Sequence, residues 1–277
     1  MGIVYQLLPV NPFTEALALK SYLQDQSFSH FEKEARIWFS LSDHPNIARP
    51  YWYGLFDAKY SILAEWYPAT VNDYSVESST KVEFQTLVLG ILSGLNYAYE
   101  KHGLIHRDIK PSNILLDKDN NPKINDFGIS IFFNEKNTIL YGTKEYMAPE
   151  LFIGYPSSVK TDIYALGATL FEIITKNHVI DYVTFDGKKK ELEKHQKKLG
   201  GWINPYIELI LACIQEGPNS RPSSYVDLFD LLKSSDAKID RNRQSEFEVT
   251  GKATVLVKQG KAEEAISLLQ SFLSEPS

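Results

Sequence analysis

One stretch constrains this chain more than any other: His106-Arg-Asp-Ile-Lys-Pro-Ser-Asn113, followed by Asp126-Phe-Gly128. Four polar groups, Asp108, Lys110, Asn113 and Asp126, sit in a short apolar setting. Ile105 precedes them, Ile114-Leu115-Leu116 follows the first three, and Ile124 flanks the last. A loop with strands on either side points these four groups into one pocket. The 277 residues around it suffice for one large domain or two smaller ones. With 43% hydrophobic and 23% charged residues, the composition is that of an ordinary globular chain, which excludes a disordered one.

Charge and cysteine usage narrow the classes further. A net charge of -6 excludes a broad electrostatic grip on nucleic acid. Cys213 is the single cysteine, so there is no internal disulfide or cysteine-based zinc site, and the reading is an intracellular, cytoplasmic one. No apolar run approaches the ~18 residues of a membrane span. The opening residues lack the basic flank and cleavage signal of a secretory peptide.

The first seventy residues contain strand-like runs, Ile3–Leu8, Ala16–Tyr22 and Ser61–Tyr67, bounded by Pro, Asn and Thr turns. Between them Ser29–Leu41 has helical spacing, with Phe31, Ala35, Trp38 and Phe39 on one face. The middle is more helical. Thr80-Lys-Val-Glu83 has capping-box form, an apolar stripe from Phe84 to Leu95 follows, and Gly103 stops the helix. Further helices are expected at Asp162–Thr175, Pro205–Glu216 and Ser223–Leu232, and the lysine-rich run Lys188–Lys198 reads as a solvated helix. Strands first and helices after suggest two lobes sharing a cleft.

Asp126 and Asn113 offer the hard oxygen ligands that Mg²⁺ takes, an ion that keeps several waters and uses few protein groups. Asp108 is left to orient an attacking hydroxyl and accept its proton, and Lys110 to neutralise charge on a transferring phosphoryl group. Phosphoryl transfer needs this equipment, because its catalysis is mostly positioning and electrostatics.

The ordered set H-R-D-x-K-x-x-N, D-F-G and Ala148-Pro149-Glu150 resembles the eukaryotic-type Ser/Thr protein kinase catalytic domain, over about residues 2–235. The resemblance implies an α+β, bilobal fold with a small, mostly β N-lobe (about 1–67) and a larger helical C-lobe (about 68–235). It implies ATP and Mg²⁺ as cofactors and a protein Ser/Thr hydroxyl as acceptor. Asp108, Lys110 and Asn113 take the catalytic places, with Asn113 and Asp126 on the metal. Lys20 resembles the lysine that holds the α- and β-phosphates, and Glu34, preferred over Glu32 for its offset, resembles its carboxylate partner. Ala64-Glu65-Trp66-Tyr67 resembles the hinge that meets adenine by backbone hydrogen bonds, between faces formed by Val4, Ala18 and Leu115. Gly142–Tyr146 resembles the segment that receives the peptide, and Lys110 with Thr143 favours Ser/Thr over Tyr. The resemblance makes Glu150 and Arg221 a buried ion pair and sets Asp162 to brace the catalytic loop. Thr138 reads as a regulatory phosphosite with Arg107 as its cationic partner.

The chain departs from the family in two places. No G-x-G-x-x-G loop is present; Gly2-Ile-Val-Tyr5 fits only its last glycine, so an N-terminally truncated domain lacking its first strand is expected. Gly217 stands where an aspartate is usual. After a linker at 236–244, residues 245–277 resemble a tetratricopeptide-like helical pair able to engage a protein partner. The alternative reading is a pseudokinase or scaffold that binds partners through its cleft and this tail.

Overall fold

The computed structural model describes residues 2–8, 16–22, 28–132 and 141–234. Thr138, the linker and the expected helical pair at 245–277 lie outside the described residues. The chain divides into two units, Met1–Phe229 and Asp230–Ser277, and the lobes and cleft belong to the first.

The small lobe is an antiparallel sheet of four strands, β1 (Gly2–Leu7), β2 (Leu17–Tyr22), β3 (Pro50–Phe56) and β4 (Lys59–Glu65), in the order β1-β2-β4-β3. One helix, α1 (Phe28–Ser40), packs against it. Phe31, Ala35 and Trp38 recur at helical spacing and are buried, and the Trp38 indole donates to the Ala48 carbonyl at 2.6 Å. Strand β3 has no counterpart among the expected runs. It starts on a proline, carries a register shift between Pro50 and Trp52, and exposes Leu55 and Phe56, so no clean alternation marks it.

The larger lobe begins with short β5 (Ala69–Thr70) and the long α2 (Lys81–His102). Thr80 and Glu83 cap α2 reciprocally, and Gly103 ends it in the left-handed region at φ 62°. Phe84, Leu87, Val88, Ile91 and Leu92 of α2 are fully buried. Four short strands follow: β6 (Leu104–Ile105), β7 (Ile114–Leu116), β8 (Pro122–Ile124) and β9 (Ile131–Phe132). They form a β5-β7-β8 sheet and a β6-β9 pair. Next come α3 (Pro149–Phe152), α4 (Val159–Thr175), α5 (Phe185–Leu199) and α6 (Asn204–Cys213), and residue 225 opens a last helical stretch.

Helix α4 is buried over nearly its whole length and is the axis of the lobe. It starts three residues before the expected Asp162, because Ser158 caps it with Thr161. The lysine-rich run does form α5, but it is only partly solvated. Lys188, Glu191 and Leu192 share one buried face, as the helical period dictates, while Lys189, Lys190, Lys194, Lys197 and Lys198 point outward.

Candidate active site

The lower wall of the cleft is built by backbone. Ile114 pairs with Ile124 across β7 and β8, and the Asn125 amide donates to the Asn113 carbonyl at 2.9 Å. This register brings Asn113 and Asp126 together although thirteen residues separate them. Two residues here occupy the left-handed region, Arg107 (φ 72°) and Asp126 (φ 65°), a costly conformation for non-glycine residues and one the sequence did not signal. Asp162 on α4 compensates at the first: its carboxylate accepts the backbone amides of His106 (2.6 Å) and Arg107 (2.9 Å). Burial pushes the Asp162 carboxyl above its ordinary range, against the pull of His106 and these two donors. His106 is buried, its Nε2 lies 3.0 Å from the Asn125 carbonyl, and its Nδ1 accepts the Asp108 amide at 3.3 Å.

Around Asp108 the polar groups interlock. Thr143 donates its hydroxyl to Asp108 Oδ1 at 2.8 Å, and Lys110 Nζ lies 2.7 Å from Oδ2 and 2.8 Å from the Thr143 hydroxyl. The Asn113 side-chain amide donates to the Asp108 carbonyl (2.8 Å) and to Oδ2 (2.9 Å). That leaves the Asn113 amide oxygen for a hard cation. Thr143 reaches the loop only because Gly142, at φ 113°, carries no side chain: a Cβ there would stand 2.6 Å from the Arg107 carbonyl oxygen. The Arg107 guanidinium lies over the Tyr141 ring at 4.9 Å. Next along, Tyr146 donates to Glu172 on α4 at 2.5 Å, a contact the sequence reading missed.

The upper wall comes from the small lobe. Lys20 on β2 bridges Glu34 Oε1 on α1 (2.7 Å) and Asp126 Oδ1 (2.8 Å). Burial pulls the Lys20 ammonium down, but Glu34 and Asp126 outweigh it and hold its pKa well above the usual lysine value. Burial likewise pushes the Asp126 carboxyl up, and Lys20 more than offsets this, so the group sits below the ordinary carboxylate range. Its second oxygen is not used by Lys20. One charged carboxylate oxygen and one amide oxygen suit an ion held by few protein groups. Among the described residues, no cluster of three or more His, Cys, Asp or Glu forms a metal cage.

Between the walls lies a cleft of about 690 Å³. Val4 and Ala18 line it from above and Leu115 from below, while Ala64, Glu65 and Tyr67 close its back. Ala18 pairs with Ala64 across β2 and β4, so two small side chains keep that end open. The Glu65 amide donates to the Arg49 carbonyl at 2.9 Å, and the Tyr67 hydroxyl accepts the Arg49 amide at 3.2 Å. Below, Arg221 grips Glu150 with two nitrogens, at 2.6 and 2.8 Å, and both residues are buried.

The protein kinase domain family model matches residues 3–235. The chain belongs to the protein kinase domain family. Relatives of this domain are widely spread. Serine/threonine-protein kinase PrkC of Bacillus subtilis is 32% identical over 249 residues, 82% of this chain and 37% of the relative. RGS domain-containing serine/threonine-protein kinase A of Dictyostelium discoideum is 33% identical over 219 residues, 74% and 19%. Cysteine-rich receptor-like protein kinase 27 of Arabidopsis thaliana is 29% identical over 270 residues, 86% and 41%. The chain thus spans about two fifths or less of the length of these relatives. Among the described residues no helix is long and apolar enough to cross a membrane.

Proposed function

We propose that this kinase domain transfers the γ-phosphoryl group of ATP to a serine or threonine hydroxyl of a protein, with Mg²⁺ at Asp126 and Asn113. One observation carries the reading: Asp108 already accepts a hydroxyl donor, Thr143, at 2.8 Å, with Lys110 against its other oxygen. A substrate hydroxyl would donate to the same carboxylate, which orients it and takes its proton as transfer proceeds. Lys110 offsets charge on the moving phosphoryl group, and Lys20, held by Glu34, does so on the α- and β-phosphates. Mg²⁺ would supply neutralisation of the remaining phosphate charge. Adenine would lie between Val4, Ala18 and Leu115, facing the 65–67 backbone.

The test is transfer of labelled phosphate from ATP to Ser/Thr peptides by the chain and its Asp108→Asn variant. The variant should lose at least ~10²-fold in kcat, the low end for general-base assistance, with nucleotide affinity unchanged. Equal turnover would remove Asp108 from the chemistry. Nucleotide binding with no transfer by the unaltered chain would favour the pseudokinase reading.

A further inference from the structure

Tyr22 stands two residues beyond Lys20, so both side chains leave the same face of β2. Ser21 between them points the other way, its hydroxyl 2.9 Å from that of Ser61 on β4. The Tyr22 ring is buried and meets Phe31 of α1 edge-on, centroids 5.3 Å apart. Phe31 lies one helical turn before Glu34, so a ring seated on Phe31 carries its hydroxyl to that carboxylate. The hydroxyl donates to Glu34 Oε1 at 2.5 Å, the same oxygen that takes the Lys20 ammonium at 2.7 Å. The ammonium in turn lies 5.2 Å from the Tyr22 ring centroid. The other carboxylate oxygen lies beside Gly128, which leaves it room by carrying no side chain: a Cβ there would come within 2.9 Å of Oε2.

We infer that Tyr22 is a positioning residue: its hydroxyl fixes the rotamer of Glu34 and so holds α1 in the arrangement that pairs Glu34 with Lys20. Glu34 is 3% exposed, so a carboxylate turning away must give up two charge-assisted hydrogen bonds in a dry setting. Without the hydroxyl it gives up one, and the population with Lys20 unpaired rises. Burial pushes the phenol above its ordinary pKa; Lys20 opposes this and Glu34 adds to it, so the group remains a donor.

This role rests on the kinase reading, but its first test does not. In Tyr22→Phe the ring and its seat on Phe31 remain and only the hydroxyl is lost. Hydrogen exchange of the ligand-free protein should quicken about tenfold in α1 and stay unchanged in α4. In a transfer assay, kcat/KM for ATP should fall about tenfold, ~1.4 kcal/mol in the barrier. The same substitution placed on Glu34→Gln should cost less than twofold, because the two residues act as one unit. Unchanged exchange in α1 would overturn the proposal. So would an equal rise in α1 and α4, which marks a packing role, or an undiminished tenfold loss in the Glu34→Gln background. If the unaltered chain transfers no phosphate, the functional reading fails while the exchange comparison still decides the role of Tyr22.

Discussion

The two walls of the cleft are assembled by different means. Below, the loop carrying Asp108 is fixed at its backbone, where Asp162 takes two amides and the β7–β8 register sets Asn113 against Asp126, and beneath it the Glu150–Arg221 side-chain pair lies buried among helices. Above, Lys20 rides on the paired strand β2, and its ammonium is held by the side chains of Glu34 and Asp126, with Tyr22 on the same Glu34 oxygen. Backbone-directed bonds within a packed core have one arrangement, whereas side-chain links between a sheet and one helix can part without unfolding either. On this contrast the lower wall acts as a scaffold and the upper wall as an adjustable part.

The largest expected effect tests the scaffold. Arg221→Ala leaves the Glu150 carboxylate buried and unmatched, at a cost of about 3–5 kcal/mol. Its melting temperature should fall far below that of Lys189→Ala, which removes an exposed lysine 3.9 Å from Glu193. Similar melting curves for the two would break the contrast. Next comes Asp162→Ala, which strands the His106 and Arg107 amides at about 1–3 kcal/mol each. Denaturant titration should show that loss, and a drop confined to activity would assign Asp162 to the chemistry instead.

The adjustable wall should respond in its charge states. With Lys20 in place, the lowered Asp126 pKa gives stability that is present above the unfolded carboxylate value near ~3.9 and is lost as pH falls through the folded one. In Lys20→Met burial acts against only the smaller pulls of His106 and Lys110, so the Asp126 pKa should rise. Carbon-13 NMR titration of the Asp126 carboxyl checks the direction, and a fall in the variant would mean that Lys20 is not the controlling charge. The smallest effect belongs to Val4→Ala. Val4 is 55% exposed, so stability should move within ±0.5 kcal/mol although the residue faces the cleft. A larger shift in calorimetry would make β1 part of the scaffold.

The scaffold was the more legible wall, because its signals are contiguous in the chain. His106–Asn113 and Asp126–Gly128 announce a polar pocket between short strands, and the α2 cap and stripe read directly from Thr80 to Leu95. In the adjustable wall the strand runs and the helical spacing of α1 were legible from the residues, whereas the pairing of Lys20 with Glu34 was legible only through the family pattern. Tyr22 escaped because its partner lies on another element, and nothing local distinguishes a strand tyrosine that reaches a helix carboxylate from one that fills a core. The left-handed backbone at Arg107 and Asp126 escaped for a related reason: tertiary bonds impose it against local preference. Lys188 misled in the opposite sense, since a run of lysines masks the one that the helical period turns inward.

Gly142 gives the molecule a failure mode of unusual economy. Any side chain at that position meets the Arg107 carbonyl and must also tolerate a backbone that L-residues rarely adopt. Such a wedge would part Thr143 from Asp108 while leaving residues 64–67, Lys20 and Asp126 as they are. On the proposed function, one codon would thus separate a phosphoryl-transfer catalyst from a protein that keeps its cleft and loses only the arrangement at Asp108, a short mutational path along which a lineage could exchange chemistry for regulated binding.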